Sequence, residues 1–143
     1  MSLDLFQLVY VSRAIRSLSD ADLRSLQAGA SRFNEARGVT GALFVGKVAF
    51  LQVLEGPFAT VSMLLDGRIA ADPRHRDLRV VFGAYASERL YANWNMAVFR
   101  VDQPLIPYEE LLEHLADAAF TPDTRRAPIR LVRAFEEGSR SVA

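Results

Sequence analysis

The stretch that most constrains the fold is an apolar run from Val48 to Gly56 with one amide, Gln52, at its centre. Its composition, ended by a glycine, predicts a strand that is buried on both faces. Side chains alternate across a strand, so Gln52 shares a face with Phe50 and Leu54. A buried amide without partners costs about 1–3 kcal/mol, so Gln52 requires hydrogen bonds. The partner is either a protein group or water, or a polar ligand that lies on the sheet.

Hydrophobic periodicity predicts the order of the elements around this strand. Strands are predicted over residues 6–12, 40–45, 48–56 and 78–86, with helices from the N-cap Ser19 to about residue 37 and over residues 58–71. Gly67 predicts a kink or an irregular turn inside the second helix.

The order β-α-β-β-α-β is the split arrangement of α+β, ferredoxin-like folds. Right-handed crossovers place both helices on one face of an antiparallel sheet. The first and third strands are then neighbours, so we expect Tyr10 and Gln52 to meet beneath the helices.

The C-terminal part predicts a fifth strand and two amphipathic helices. The strand covers residues 94–101 and places Trp94 and Met96 on the same side. The helices, over residues 108–120 and 128–137, are expected to cover the other face of the sheet, and residues 138–143 to fray. With 143 residues, the chain accommodates one domain, in which residues 102–143 form a helical extension packed on residues 1–101.

Composition removes several classes of function. Lys+Arg and Asp+Glu both number 17, so no net charge favours nucleic acid or an anionic membrane surface. The absence of cysteine excludes disulfides and thiolate-bound metals, and two histidines, His75 and His114, argue against a histidine-rich metal site. The sequence shows neither a secretion signal nor an apolar run of membrane-spanning length. We therefore expect a cytoplasmic protein without a nucleic-acid or membrane partner.

Three polar side chains are predicted to surround one space between the sheet and the first helix: Tyr10, Asn34 and Gln52. A phenol and two amides suit a flat, neutral heterocycle that carries carbonyls and ring N–H groups. The alternative is a buried polar network that satisfies itself. No nucleophile stands beside a base, so hydrolysis is not indicated.

Two further segments allow a structural and a functional interpretation. Asp72–His75 is either a solvated turn favoured by the helix dipole, or a site where Arg74 contacts a phosphate and His75 packs near a ligand. Trp94 and Met96 either fill the core or contact a cofactor.

Five segments in order resemble a known family. They are Leu8–Ser12, Asn34 followed by Gly38–Gly41, Phe50–Gly56, Asp72–His75 and Trp94–Met96. Over residues 6–101 the chain resembles BLUF domains, the flavin-based blue-light sensors of bacteria and some protists. The resemblance implies a flavin, usually FAD and alternatively FMN, held over the sheet between the first two helices.

The resemblance also implies roles for individual residues. Asn34 holds the pyrimidine edge of the flavin ring, and Gln52 bonds near N5 and O4 and to Tyr10. Arg74 and His75 lie beside the ring and the ribityl chain, and Phe50 and Ile69 form apolar walls. Tyr10 gives an electron and a proton to the excited flavin and recovers them, while Gln52 rotates or tautomerises and the absorption shifts to the red. The implied cofactor-binding set is Tyr10, Asn34, Phe50, Gln52, Ile69, Asp72, Arg74, His75 and Met96, and the implied photoactive set is Tyr10, Gln52, Trp94 and Met96.

The chain departs from the family pattern at two places. Phe33 stands where many members carry a polar residue, and the segment around residues 65–67 holds one residue more than usual. The second departure predicts an irregular second helix and leaves the positions of Arg68 and Ile69 open.

The implied function is blue-light reception without enzymatic activity. The residues after 101 are too few for a cyclase or phosphodiesterase, so we expect output through the fifth strand to a separate signalling protein or through self-association. The alternatives are a light-insensitive flavin- or nucleotide-binding regulator and a flavin-dependent oxidoreductase. The presence of Tyr10 and Gln52 argues against the first, and the lack of an acid or base on the substrate side argues against the second.

Overall fold

The computed structural model describes residues 5–101 and 139–142. Within them the elements are β1 Phe6–Ala14, α1 Asp20–Glu35, β2 Thr40–Val45, β3 Ala49–Gly56, α2 Phe58–Leu64 with a π-helical turn Leu65–Ile69, β4 His75–Tyr85, β5 Ala97–Val101 and β6 Ser139–Ser141. The predicted β-α-β-β-α-β order is confirmed, and a fifth strand follows it. The two predicted C-terminal helices, and with them the helical extension, lie outside the described residues.

The described strands form one mixed sheet in the order β4-β1-β3-β2-β5-β6. The neighbours among β1 to β4 are antiparallel, as the ferredoxin-like prediction requires. Strand β5 adds to β2 in parallel, and β6 pairs antiparallel with β5. The prediction that the first and third strands are neighbours is confirmed, and their register sets Tyr10 opposite Gln52.

The sheet separates two apolar clusters because successive side chains of each strand point to opposite faces. On the helix face, Leu54 packs with Leu23 of α1 and Val61 of α2. On the other face, Leu51 and Val53 pack with Phe44. Both helices therefore lie on one face, the face that also carries Gln52.

Helix α1 begins at a capping box. The Ser19 hydroxyl accepts a hydrogen bond from the Asp22 amide at 3.0 Å, and the Asp22 carboxylate accepts one from the Ser19 amide at 3.1 Å. This reciprocal pair satisfies two amide groups at the helix start and fixes the helix register. The predicted N-cap is confirmed, and the buried Asn34 falls in the last turn of the helix.

The second helix changes from α to π geometry at Leu65. The Ala70 amide donates to the Leu65 carbonyl at 2.8 Å, an i→i+5 bond that takes up one more residue than an α-helical turn. The predicted irregularity around Gly67 is confirmed. The π-helical turn accommodates the additional residue and ends at Ile69, before the predicted end at residue 71.

Two predicted strand starts are wrong by three residues, and one segment predicted to fray forms a strand. Strand β4 begins at His75 and not at residue 78, because His75 and Arg76 still pair with β1 beyond an irregular stretch in which Asp77 adopts a left-handed backbone (φ 54°). Strand β5 begins at Ala97 and not at residue 94. Ser139–Ser141 does not fray but pairs with β5, and the following Val142 is buried in the helix-face cluster. This pairing satisfies backbone groups that would otherwise form an open sheet edge.

Candidate cofactor site

A cavity of about 450 Å³ lies between the two helices and the sheet. Its size is that of a typical small-molecule site. All nine residues predicted to bind a cofactor line it: Tyr10, Asn34, Phe50, Gln52, Ile69, Asp72, Arg74, His75 and Met96. The structure thus brings together side chains from three strands, both helical segments and the turn before β4.

Tyr10 and Gln52 form a buried pair at the floor of the cavity. The Tyr10 hydroxyl donates a hydrogen bond to Gln52 Oε1, and the two side chains are 2% and 7% exposed. Burial raises the pKa of the Tyr10 phenol far above its ordinary value, and the negative charge of Asp72 raises it further. The phenol therefore keeps its proton at neutral and mildly alkaline pH, and donates that proton in the hydrogen bond to Gln52.

The two ends of the Gln52 amide have partners of unequal strength. Oε1 accepts from the phenol, whereas Nε2 faces Met96 Sδ at 3.5 Å, and a thioether is a weak acceptor. A phenol can both donate and accept, so it can also pair with Nε2 if the amide turns over. The pair is therefore compatible with two arrangements of the same side chains.

Asn34 presents an amide to the cavity from the last turn of α1. Its Nδ2 donates to the Asn95 carbonyl at 2.9 Å, and Asn95 Nδ2 donates to the Val39 carbonyl at 3.0 Å. Across the described parts of the chain, Asn34 Oδ1 accepts no hydrogen bond. That oxygen can accept a hydrogen bond from an N–H group of a ligand in the cavity.

Asp72 and Arg74 form a forked ion pair at the cavity wall. The Arg74 guanidinium donates to both carboxylate oxygens, at 2.9 Å from Nε and 2.8 Å from Nη2. Burial raises the pKa of Asp72, but the hydrogen bonds from Arg74 outweigh it and hold that pKa below its usual range. Asp72 thus orients the guanidinium beside the cavity.

His75 bridges the first strand and the π-helical turn. Its Nδ1 lies 2.6 Å from Ser12 Oγ, and its Nε2 lies 2.6 Å from the Ile69 carbonyl oxygen. A carbonyl only accepts, so Nε2 carries the proton of this bond. The ring also stacks on Phe50 with centroids 5.7 Å apart. His75 therefore holds the cavity wall at Ile69 against the sheet.

Ser12 is a site residue that the sequence analysis missed. Its side chain is completely buried and contacts His75 directly. The available signal was its position two residues after Tyr10, which places both side chains on the same face of β1.

Phe33 lies at the cavity beneath two cations. The guanidinium carbons of Arg37 and Arg68 stand 3.4 Å and 4.0 Å from its ring centroid. The contact from Arg68 links α1 to the π-helical turn across the cavity wall, whereas Arg37 follows directly after α1. Three arginines, Arg16, Arg68 and Arg74, line the cavity together with two carboxylates, Asp22 and Asp72, so its rim carries a small excess of positive charge.

Trp94 and Met96 do not lie on the same side, which corrects the prediction. Met96 is 3% exposed and faces Gln52, whereas Trp94 is 51% exposed, stacks on Tyr91 and meets Phe99 edge-on. The strand alternation assumed for residue 94 does not apply, because β5 begins only at Ala97. Trp94 does not line the cavity.

The fold and the site define a class of protein, a ferredoxin-like domain with a cavity for a flat heterocycle between its sheet and helices. Apolar walls, a buried phenol–amide pair, an amide oxygen open to the cavity and a basic rim fit a flavin. The family model for BLUF, sensors of blue light using FAD, matches residues 5–97. The chain belongs to the BLUF family of blue-light sensors.

Two curated relatives come from Euglena gracilis. The chain is 35% identical over 136 residues to the photoactivated adenylate cyclase subunit beta, and the match covers 92% of this chain and 16% of that protein. It is 34% identical over 139 residues to the subunit alpha, and the match covers 94% of this chain and 13% of that protein. The chain thus spans less than a fifth of the length of these relatives.

Two solved structures confirm the predicted fold class. BlrP1 of Klebsiella pneumoniae superposes with a TM-score of 0.66 at 30% identity, over 92% of this chain and 32% of that chain. BlrB, a BLUF protein in its dark state, superposes with a TM-score of 0.64 at 26% identity, over 93% of this chain and 98% of that chain. Among the described residues, no helix is long and apolar enough to span a membrane.

Proposed function

We propose that this chain detects blue light through an FAD bound in the cavity, with Tyr10 and Gln52 as the photoactive pair. The observation that carries the proposal is the direct hydrogen bond between these two buried side chains on the cavity floor. A phenol is oxidisable, and an amide can exchange donor for acceptor, so the pair offers the chemistry of a reversible switch. Membership of the BLUF family supports the choice of cofactor.

The cofactor assignment extends to individual contacts. Phe50 and Ile69 provide apolar walls for the flavin ring. Asn34 Oδ1 accepts a hydrogen bond from the pyrimidine edge of that ring. The basic rim of Arg16, Arg68 and Arg74 suits the phosphate groups of the side chain. FMN is the alternative, and mass spectrometry of the chromophore released from purified protein distinguishes the two.

A bound flavin would supply a blue-light chromophore whose excited state is a one-electron oxidant. Tyr10 would give it an electron and the phenolic proton and then recover both, so no net oxidation would remain. The weak bond from Gln52 Nε2 to Met96 lets the amide turn over during this cycle. The turned amide presents a donor where it had presented an acceptor, which changes the hydrogen bonding around the cavity.

The visible spectrum tests the proposal. Purified protein should be yellow, and its absorption should shift to the red under blue light and return in the dark. A colourless protein that cannot be loaded with flavin would defeat the proposal. A yellow protein without a shift would support a light-insensitive regulator, and bleaching by NADH with turnover would support a flavin-dependent oxidoreductase.

We propose that the output is non-catalytic and passes to a separate signalling protein or to a second copy of the chain. The support is that Met96 contacts Gln52 and immediately precedes β5. Strand β5 pairs with β6, the last strand on that side of the described sheet. Light scattering under blue light and in the dark tests self-association. An unchanged mass would leave a separate partner as the receiver.

A further inference from the structure

Glu55 is a completely buried carboxylate that lies three residues after Gln52 in β3. Its two oxygens accept four hydrogen bonds, from Gln7 Nε2 at 2.8 Å, Thr40 Oγ1 at 3.1 Å, the Leu90 amide at 2.6 Å and the Tyr91 amide at 2.9 Å. A buried carboxylate is costly unless donors of this kind surround it. The cluster is thus built around Glu55, on the face of the sheet opposite the cavity.

Two of the four donors belong to the backbone of the β4–β5 connection, residues 86–96. Arg89 adds hydrogen bonds to Thr40 Oγ1 at 2.8 Å and to the Glu55 carbonyl at 3.2 Å. The Trp94 carbonyl accepts from the Gly41 amide at 3.1 Å. Because these bonds all end on β2 and β3, the connection is fixed to the central part of the sheet.

The β4–β5 connection passes from one face of the sheet to the other. Tyr91 packs in the cluster on the face away from the helices, whereas Met96 packs in the helix-face cluster. Glu55 holds the connection at Leu90 and Tyr91, and Gln52 contacts its last residue, Met96. Two residues of one strand therefore contact the same segment at two points, on opposite faces.

We propose that Glu55 is a positioning residue for the photoresponse. Its carboxylate holds the β4–β5 connection so that Met96 stays against Gln52, and this restraint sets the rate at which the Gln52 amide returns to its dark arrangement. The inference rests on the proposed function, since it assigns a second residue of β3 to the same switch.

The variant Glu55→Gln tests this role with little change of shape. Replacing one acceptor oxygen with an NH₂ group leaves at least one donor of the cluster without its acceptor. The connection then loosens and Met96 restrains the amide less. We expect a red shift of unchanged size that recovers about fivefold faster in the dark, the rate effect of one lost hydrogen bond. Amide hydrogen exchange of residues 89–96 in the dark should also quicken.

Two controls separate positioning from stability. Glu88→Gln makes the same chemical change on an exposed side chain of the connection and should leave recovery and exchange as in the wild type. Ser19→Ala removes the α1 N-cap and lowers stability away from the connection, so its recovery should also match the wild type.

Either wild-type recovery or wild-type exchange in Glu55→Gln would overturn the proposal. If that variant does not fold, Gln7→Met removes one donor from the carboxylate and one hydrogen bond to the Glu88 carbonyl of the connection. It should give a smaller acceleration, and wild-type recovery there would overturn the proposal as well. If the wild type itself shows no red shift, the proposed function fails and the link to recovery fails with it. Hydrogen exchange in the dark still decides whether Glu55 holds the connection.

Discussion

Tyr10 and Gln52 face each other in register across the neighbouring strands β1 and β3, and a direct hydrogen bond joins their side chains. Neither residue is near the other in sequence, so the crossover through α1 and the β2–β3 hairpin creates the pair. The partner at the other end of the amide, Met96, comes from the segment before β5. The proposed switch therefore combines three parts of the chain around one rotatable amide.

Replacing Gln52 with leucine should abolish the normal red shift and keep the flavin. Leucine is close in volume to the amide but can neither donate nor accept, while the other cavity residues remain in place. The light-minus-dark absorption spectrum measures the shift, and the ratio of flavin to protein absorbance measures loading. A normal shift in this variant would contradict the role proposed for Gln52.

Replacing Tyr10 with phenylalanine should also abolish the normal photocycle, because the variant lacks both the oxidisable phenol and its proton. Flavin should stay bound, since the ring and its packing are retained. The exposed Tyr85→Phe serves as the matched control and should cycle like the wild type. An unchanged photocycle in Tyr10→Phe would disprove the electron-donor role.

The raised pKa of Tyr10 predicts a loss of stability at alkaline pH. Burial keeps the folded-state pKa above the value of the unfolded chain, about 10. The stabilising contribution is fully present below that pH and is lost as the pH rises above it. The free energy of unfolding should fall by about 1.4 kcal/mol per pH unit from this group. Urea unfolding between neutral and alkaline pH should show a shallower decline in Tyr10→Phe than in the wild type.

Removing the His75 bridge should weaken both the fold and the flavin site. His75→Phe keeps a ring on Phe50 but breaks the hydrogen bond of the buried Ser12 hydroxyl to His75. It also removes one of the two hydrogen bonds to the Ile69 carbonyl, which keeps the one from the Asp72 amide. We expect a loss of about 2–3 kcal/mol in unfolding free energy and weaker flavin binding, measured by urea unfolding and fluorescence titration. Ser12→Ala should cost less, about 1 kcal/mol, because it breaks only one of the two bonds. The exposed Arg76→Ala should change neither quantity.

Two glycine substitutions should act in opposite directions. A Cβ at Gly41 would stand 2.1 Å from the Val53 carbonyl oxygen, so Gly41→Ala must displace β2 or β3 and should cost about 3 kcal/mol or more. At Gly29 in α1 a Cβ meets nothing within 4 Å, and Gly29→Ala should stabilise by about 0.5–1 kcal/mol. Thermal unfolding compares the two. A stable Gly41→Ala variant would contradict the close approach of these strands.

The sequence itself determined the element order, the Ser19 cap and the face on which Gln52 lies. These features follow from local patterns, namely the period of apolar residues, the capping residues and the alternation of side chains in a strand. Topological rules then placed Tyr10 beside Gln52, and the register confirms it. The additional residue near Gly67 likewise predicted the irregular turn that the structure shows as a π-helix.

Only the tertiary structure decided the features that depend on distant partners. Ser139–Ser141 has no strand-like pattern and becomes a strand because β5 offers it an open edge. Trp94 is exposed and Met96 is buried because the chain turns between them before β5 begins. The two-residue alternation of a strand does not apply to such a turn. The burial of Glu55 depends on donors from β1, β2 and the β4–β5 connection, and His75 bonds to a strand and to the π-helical turn. Local sequence fixes which face a side chain takes, whereas packing and long-range hydrogen bonds fix what it meets there.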